Sequence, residues 1–248
     1  MTPGLRLTYH TDPACARSWG WEPALARLEV EFAGQLEFEH VLAPREIGAG
    51  EALRWLEQSA LSGMPVDARL WLDRPPRASH AACYAVRAAA EQGLERPLLR
   101  RLREGFAVER RALETIPALL EAAREVRGLD LGRFEAALRS SATVEALSAD
   151  LERGRGIAAP ALAVAGGPPQ GEPAAWRDAV IAAGGIPRTE RPSIEEALAR
   201  SRRLATAELA ASCGLPYAAA AAALWRGVTE LRVAVTRTPG GELWSATA

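Results

Sequence analysis

The chain has 248 residues, which is enough for one large domain or two smaller domains with adequate cores. Hydrophobic residues make up 48% and charged residues 25%, as in ordinary globular proteins, and the formal net charge of −1 argues against a general attraction to nucleic acid or acidic membranes. No uninterrupted apolar run approaches the roughly 18 residues of a membrane span, and no signal-peptide pattern is visible. We therefore expect a soluble, cytoplasmic protein that does not bind membranes.

The first elements predict a strand, a helix and a second strand. Residues 5–10 form a short strand-like run, and Leu25, Leu28 and Phe32 recur at helical spacing after it. Residues 36–42 then alternate apolar and polar side chains, which indicates a strand. This order is typical of a right-handed crossover between parallel strands.

The next hundred residues are almost wholly helical in pattern, from about residue 51 to residue 155. Turn signals divide them into helices near 51–61, 79–93, 95–112, 115–127, 131–140 and 143–153. Residues 161–165 are a short apolar run that suits a buried strand, and Pro160 precedes it. A helix near 173–183 follows. The pattern predicts an all-helical subdomain inserted into an α/β unit.

The segment after about residue 191 has a different organisation. It predicts three helices, near 193–203, 206–213 and 217–228, and then two strands around a turn at residues 239–241. Three helices followed by a hairpin are typical of a small winged-helix module. We expect one domain over residues 1–190 and a winged-helix-like module over residues 191–248.

Cys15 lies where the first strand meets the first helix, and it is the strongest chemical signal in the chain. At a helix N-terminus, unpaired N–H groups and the helix dipole favour thiolate over thiol, and Arg17 adds a nearby positive charge. Ser18 stands where a Cys-x-x-Cys dithiol site has its second sulfur. The spacing predicts an activated cysteine whose partner thiol is replaced by a hydroxyl.

Several short motifs accompany this site: Asp12-Pro13, Cys15, Ser18-Trp19-Gly20, Pro23, the helical segment 77–93 and Ala159-Pro160. With them the chain resembles the DsbA-like branch of the thioredoxin superfamily, particularly its cytoplasmic FrnE-like and YjbH-like members. The resemblance spans residues 5 to about 185. It implies an α/β, thioredoxin-like fold with an inserted helical subdomain.

The resemblance also implies roles for individual residues. Cys15 is the expected nucleophile, and Ser18 is expected to stabilise its thiolate by a hydrogen bond. In the family, a cis-proline loop faces the cysteine and pairs with bound substrate, which implies that role for Pro160 and Ala159. Pro13 and Trp19 are further candidates for substrate contact. Core packing is an equally good interpretation for either Trp19 or Trp21, since residues two apart on a helix do not share a face.

The serine limits the chemistry, because a mixed disulfide on Cys15 needs a second thiol to resolve it. We expect a thiol-disulfide oxidoreductase or isomerase that acts on protein thiols or disulfides, with no bound cofactor and with glutathione or another low-molecular-weight thiol as co-substrate. One alternative is a non-catalytic adaptor that binds a client protein, as YjbH-like proteins do. Another is a glutathione-dependent transferase or isomerase of the kappa-class type.

The remaining candidates are weaker. His10 ends the first strand and, with Arg17, is a candidate auxiliary residue for proton transfer or charge stabilisation at Cys15. Cys83 and Cys213 are interpreted as buried structural thiols. The histidine and cysteine spacings do not match a metal site, so no metal is expected. The alanine run at 218–223 in the third C-terminal helix argues against DNA binding, because alanine offers no bidentate base contact.

Overall fold

A three-stranded sheet organises the first part of the fold. The computed structural model describes residues 4–247, and this sheet contains β1 (Leu5–Thr11), β2 (Leu36–Leu42) and β3 (Ala161–Val164). The strand order is β2-β1-β3, with β1 parallel to β2 and antiparallel to β3. The three strands predicted from the sequence are confirmed, as is the parallel pairing of the first two.

Two helices connect β1 to β2, where the sequence predicted one. The first helix, α1, covers Ala16–Gly20, and α2 covers Glu22–Glu31, with the break at Trp21. The single helix expected between these strands is therefore divided in two. Because proline has no N–H to donate, it is tolerated in the first turn of a helix, and Pro23 occupies that place in α2.

The helical insertion between β2 and β3 is confirmed. It contains α3 (Glu51–Ser62), α4 (Arg69–Asp73), α5 (His80–Ala90), α6 (Glu95–Ala107), α7 (Ile116–Arg124), α8 (Leu131–Leu138) and α9 (Ser141–Arg153). The short helix α4 was not predicted. The helix expected over 95–112 ends earlier, at Ala107, and Arg110, inside the expected range, adopts a positive φ of 57° that a right-handed helix does not contain.

Aromatic side chains fill the core between the sheet and the helices on one of its faces. A 3₁₀ turn (Pro173–Ala175) leads from β3 into α10 (Trp176–Ala182). The indole of Trp176 is fully buried and packs edge-on against Tyr9 and Trp21, with ring centroids 6.0 and 5.2 Å away. Edge-to-face packing of this kind is favourable for aromatic rings. This packing holds α10 and the start of α2 against the sheet.

The C-terminal segment contains α11 (Ile194–Ala199), β4 (Leu204–Ala205), α12 (Thr206–Cys213), α13 (Tyr217–Thr229), β5 (Val233–Thr238) and β6 (Gly241–Ala246). These strands form a second sheet in the order β4-β6-β5. Helix α11 ends at Ala199, four residues before the expected end at residue 203. Leu204 then pairs with Trp244 in the second sheet. The winged-helix assignment and the domain boundary at residue 190 stay predictions.

This C-terminal segment packs tightly on the first part of the chain. Helix α12 lies against α2, and the β5–β6 turn meets the loop after α3. A Cβ atom at Gly240 would lie 1.9 Å from the carbonyl oxygen of Val66, so this contact requires glycine. The turn therefore fits against the backbone of that loop.

Within residues 4–247, no single helix is long and apolar enough to cross a membrane. Helices α12 and α13 reach the required length and composition only as a joined pair, and that pair is bent by 109°. Most residues of α12 are buried inside the protein.

Glu31, at the end of α2, ties three segments of the fold together. Its carboxylate is fully buried and accepts hydrogen bonds from Arg27, Arg177 and Arg191, at 2.9, 2.9 and 2.5 Å. Burial alone would raise the pKa of Glu31, but the hydrogen bonds and charges of these arginines hold it below its ordinary value. The ionised carboxylate is thus the form that stabilises the fold.

We expect Glu31→Gln to lower the free energy of unfolding by about 1–3 kcal/mol near neutral pH, because the arginines lose a charged acceptor. The pKa of Glu31 is lower in the folded state than in the unfolded state. Its contribution to the free energy of unfolding is therefore present above the unfolded-state pKa of about 4.3, and it is lost as the pH falls through the folded-state pKa. Urea unfolding at several pH values measures both effects. Glu121→Gln, at an exposed position on α7, is the control, and an equal loss in both variants would contradict the assignment.

Candidate active site

Cys15 is the residue that precedes α1, at the end of the loop after β1. Its backbone is extended, with φ of −93° and ψ of 118°, and its carbonyl accepts the hydrogen bond from the Trp19 N–H at 3.1 Å. The side chain is partly exposed. Helix α1 has only five residues, so fewer peptide dipoles align at Cys15 than in the single long helix that the sequence predicted. The charges around Cys15 come chiefly from other elements.

A buried aspartate shapes the turn that carries Cys15. One oxygen of Asp12 accepts the Ala14 N–H at 2.6 Å, and the other accepts the hydroxyl of Ser79 at the start of α5. The Asp12 carbonyl accepts the Cys15 N–H at 3.3 Å. Arg45, after β2, donates to the Ala14 carbonyl at 2.9 Å. Burial raises the pKa of Asp12, against the opposing effect of these hydrogen bonds and charges.

Ser18 faces inward from α1 and is fully buried. Its oxygen accepts a hydrogen bond of 2.9 Å from the Thr11 hydroxyl at the end of β1. Thr11 in turn accepts a hydrogen bond from Arg103, whose guanidinium also donates to Glu22 of α2. The serine of the Cys-x-x-Ser motif is therefore the end of a polar chain that reaches α6 and α2.

Pro160 lies beside this chain. The Ala159–Pro160 peptide bond is cis, and Pro160 directly precedes β3. Because Ala161 pairs with His10, continuing the antiparallel register by one residue places Pro160 opposite Thr11. Pro160 is buried and Ala159 is partly exposed, so Ala159 is the member of the pair that a substrate can reach from solvent.

The structure contradicts the expected substrate contact of Trp19. Its indole is fully buried, its Nε1–H donates to the Pro65 carbonyl at 2.9 Å, and the Arg100 guanidinium lies 4.6 Å from its ring centroid. Trp19 lies on the inward face of α1 and packs in the helical core, as the core-packing interpretation of the sequence proposed. Pro13 is buried as well and therefore offers little surface to a substrate.

His10 and Arg17 occupy different surroundings from those expected. Neighbouring strand residues alternate between faces, so His10 points to the opposite side of the sheet from Thr11. Its ring lies near Gly154, and burial lowers its pKa, with Arg153 acting in the same direction. Arg17 is exposed and donates to the Gly171 carbonyl at 3.1 Å. The geometry brings Arg17 to the rim of the site and keeps His10 away from Ser18.

The match to known proteins agrees with this arrangement. The sequence pattern of the thioredoxin family, described as Thioredoxin, matches residues 9–158, from the middle of β1 to the loop before Pro160. The chain belongs to the thioredoxin family. The expected DsbA-like thioredoxin fold is confirmed.

Two curated relatives and one solved structure show how far the likeness extends. The chain is 30% identical over 164 residues to the ClpXP adapter protein SpxH of Halalkalibacterium halodurans, over 60% of this chain and 53% of that protein. It is 31% identical over 162 residues to SpxH of Shouchella clausii, over 60% and 52%. The chain thus spans about half the length of the curated relatives it matches.

The solved structure is the cytosolic disulfide reductase DsbM from Pseudomonas aeruginosa with GSH. It has a TM-score of 0.57 and 23% identity to this chain, and the match covers 72% of this chain and 98% of DsbM. At this identity the likeness shows the fold. The DsbA-like thioredoxin fold is therefore shared over most of the chain, and the C-terminal segment adds to it.

The other two cysteines of this thioredoxin-family chain are buried structural thiols, as predicted. Cys83 on α5 is fully buried and Cys213 at the end of α12 is 8% exposed. Burial raises the pKa of Cys83 well above its usual range, and the charge of Asp12 acts in the same direction. Burial also raises the pKa of Cys213. Both groups are therefore poor nucleophiles in the folded protein.

A groove opens beside α1, and Arg17, two residues after Cys15, is part of its lining. Its volume is about 620 Å³, and it lies between α1, α2, α3 and the residues after β3. The side chains that define it are Arg17, Trp21, Pro23, Gln58, Leu61, Ser62, Glu172 and Pro173. A second, more apolar groove of about 560 Å³ lies on the other side of α3, near Leu53 and Leu56.

Sequence reasoning missed the residues that support Cys15 from outside its motif. Thr11, Arg45 and Arg103 come from β1, the loop after β2 and α6. The sequence does not show that Arg103 supports the site, because it is one of several arginines in a helix with an amphipathic pattern. The hydroxyl of Thr11 could have been noted, since it is the last residue before the Asp12 turn.

We expect iodoacetamide to alkylate Cys15 in the native protein at least about 100-fold faster than Cys83 or Cys213, because buried thiols react only through local opening of the fold. Mass mapping of the labelled peptides over time measures the three rates. In urea the three rates should converge. Rapid native labelling of Cys83 or Cys213 would contradict their assignment as buried thiols.

Proposed function

We propose that this chain carries out thiol–disulfide exchange with protein substrates through a mixed disulfide at Cys15. The observation that supports the proposal is the contrast between the two ends of the motif. Cys15 is partly exposed on a turn held by Asp12, whereas Ser18 is buried and hydrogen-bonded to Thr11. Such a site offers one thiol to a substrate and no second thiol at the fourth position of the motif.

The proposed reaction has two exchange steps. The Cys15 thiolate attacks one sulfur of a substrate disulfide, so that the substrate S–S bond breaks, a Cys15–substrate disulfide forms, and the other substrate sulfur leaves as a thiolate that takes up a proton. A second thiolate then attacks the mixed disulfide and releases Cys15. If that thiolate belongs to the substrate, the disulfide is isomerised. If it belongs to glutathione, the glutathione becomes part of a new disulfide.

A low-molecular-weight thiol is the proposed co-substrate, and the cytoplasm, where such thiols are kept reduced, is the proposed setting. The groove beside α1 offers space and a cation, Arg17, two residues after Cys15. DsbM, which shares the fold, was solved with GSH. The glutathione-transferase alternative would use a site hydroxyl on the substrate thiol, and the burial of Ser18 favours exchange at Cys15 instead.

The stoichiometry of a single turnover tests the proposal. With an aromatic disulfide reagent that releases a coloured thiolate, the wild-type chain should release about one equivalent quickly, because the mixed disulfide has no internal thiol to resolve it. Ser18→Cys restores a second thiol at the fourth position and should release about two equivalents. Absorbance measured by stopped flow follows both reactions.

Cys15→Ser is the control for this experiment and should release no rapid equivalent. Added glutathione should release the wild-type mixed disulfide and leave the Ser18→Cys stoichiometry unchanged. A wild-type chain that releases two equivalents by itself would contradict the monothiol proposal. So would a wild-type chain that behaves like Cys15→Ser.

A second candidate function is a non-catalytic adaptor for a client protein. The observation that favours it is that the curated relatives are named ClpXP adapter proteins. Helix α3, which packs against α1, also carries three exposed leucines. They are Leu53, Leu56 and Leu61, with exposed fractions of 61, 49 and 80%. Exposed apolar side chains grouped beside a site are typical of protein-binding surfaces.

Capture of clients from a cell extract separates the two functions. If the chain is an adaptor, we expect Cys15→Ser to retain its clients and the double variant Leu53→Glu, Leu56→Glu to lose them, because charge on α3 opposes apolar contact. Leu151→Glu changes an exposed leucine on α9 and is the matched control. Quantitative mass spectrometry after capture, with and without reductant, measures the result. Loss of every client in Cys15→Ser would contradict the adaptor function.

A further inference from the structure

Arg103 is a buried arginine beneath the Cys15 turn. Its side chain is 3% exposed, although it carries a full positive charge. One nitrogen donates to the Thr11 hydroxyl oxygen and another donates to the Glu22 carboxylate. The guanidinium lies 5.7 Å from the centroid of the Tyr9 ring. A charge in this position is tolerated only when other groups compensate it.

The chemistry of arginine fixes the direction of its own hydrogen bond to Thr11. A guanidinium has donors and no acceptor, so Thr11 must accept from Arg103. The Thr11 hydroxyl keeps its hydrogen and a second lone pair, and it donates that hydrogen to the Ser18 oxygen at 2.9 Å. The buried Tyr9 hydroxyl lies against both Ser18 and Thr11. Ser18 lies one helical turn after Cys15.

The position of Arg103 is itself held by a second set of charges. Glu22 pairs with Arg103 and, at 3.5 Å, with Arg100 one turn earlier on α6. Arg100 donates two further hydrogen bonds to Glu208 of α12, at 2.6 and 3.0 Å. Burial alone would lower the pKa of Arg103, but Glu22, Tyr9 and Cys15 together raise it. Arg103 therefore stays charged, and the C-terminal segment helps to keep it in place.

We propose that Arg103 is a positioning residue for Cys15, which holds Thr11, and through Thr11 the buried Ser18, in place beneath the Cys15 turn and keeps a positive charge there. This inference rests on the proposed exchange chemistry, because it concerns the reactivity of the same thiol. It adds a residue from the helical insertion, far from the motif in sequence, to the site. A buried positive charge close to a cysteine is one of the surroundings in which cysteines are reactive.

Other charged or titratable groups near Arg103 and the Cys15 turn come from several elements. They are Tyr9 on β1, Asp12 in the turn, Glu22 on α2, Arg45 after β2, and Arg96 and Arg100 on α6. Glu22 is the direct partner of Arg103, and Arg45 contacts the backbone of the turn. Of the arginines in this set, Arg103 is the one that donates to Thr11 among the contacts of residues 4–247, and the Tyr9 hydroxyl also lies against Thr11.

The rate of Cys15 alkylation by iodoacetamide at two pH values tests the inference, and it can be measured whether or not the chain catalyses disulfide exchange. We expect Arg103→Met and Thr11→Val to slow alkylation about fivefold to tenfold near pH 7 and to change it less than about twofold near pH 10, where the thiol ionises without assistance. Arg103→Lys should recover most of the neutral-pH rate, since lysine keeps a charge and donors.

Arg101→Met is the matched control, because Arg101 is equally buried on α6 but pairs with Glu109 and Glu125 away from the site. Urea unfolding of every variant separates loss of fold from loss of reactivity. Thr11→Val keeps the shape of the side chain, so it tests the link even if Arg103→Met does not fold. Alkylation of Thr11→Val at the wild-type rate near neutral pH would overturn the inference, as would equal slowing of Arg103→Met at both pH values.

Discussion

The compensation of buried arginine charge in α6 is the constraint on which the rest of this structure depends. Arg103 is nearly inaccessible to solvent, and it is balanced by Glu22 and capped by the Thr11 hydroxyl. These contacts join the helical insertion to α2 and to β1. A charged group held in this way must stay close to its partners, since an unpaired charge in the interior is strongly unfavourable. The insertion therefore has a fixed position relative to the Cys15 turn.

The same ionic layer incorporates the C-terminal segment. Glu208 of α12 accepts two hydrogen bonds from Arg100, and Arg203 pairs with Glu104 and Glu109 of the insertion. Arginine suits such contacts, because its planar group donates in pairs to a carboxylate and remains charged when buried. All 30 basic residues of this chain are arginine, so the layer could be built without lysine. The C-terminal segment, which lies outside the family match, thus contacts the residues of the insertion that support the site.

The site combines an accessible thiol with a supporting structure that contains no second thiol at the motif. Asp12 and Arg45 hold the turn, while Thr11 occupies the inner side of Ser18. Cys83 and Cys213 are buried on α5 and α12. The proposed exchange at Cys15 is therefore directed outward, toward a protein or a small thiol. The two proposed functions differ in whether the bond to the partner is covalent.

The sequence alone determined the three strands of the first sheet, the helical insertion, and the positions of Cys15, Ser18 and Pro160, because period and turn residues are local properties of the chain. Tertiary structure decided the remainder. Trp21 separates α1 from α2. The indole of Trp19 points inward, where it is buried in the helical core. Arg103 reaches Ser18 through Thr11 across more than 80 residues of sequence, and no local pattern identifies which of many similar arginines is buried. Burial and charge compensation are collective, so only the assembled fold specifies them.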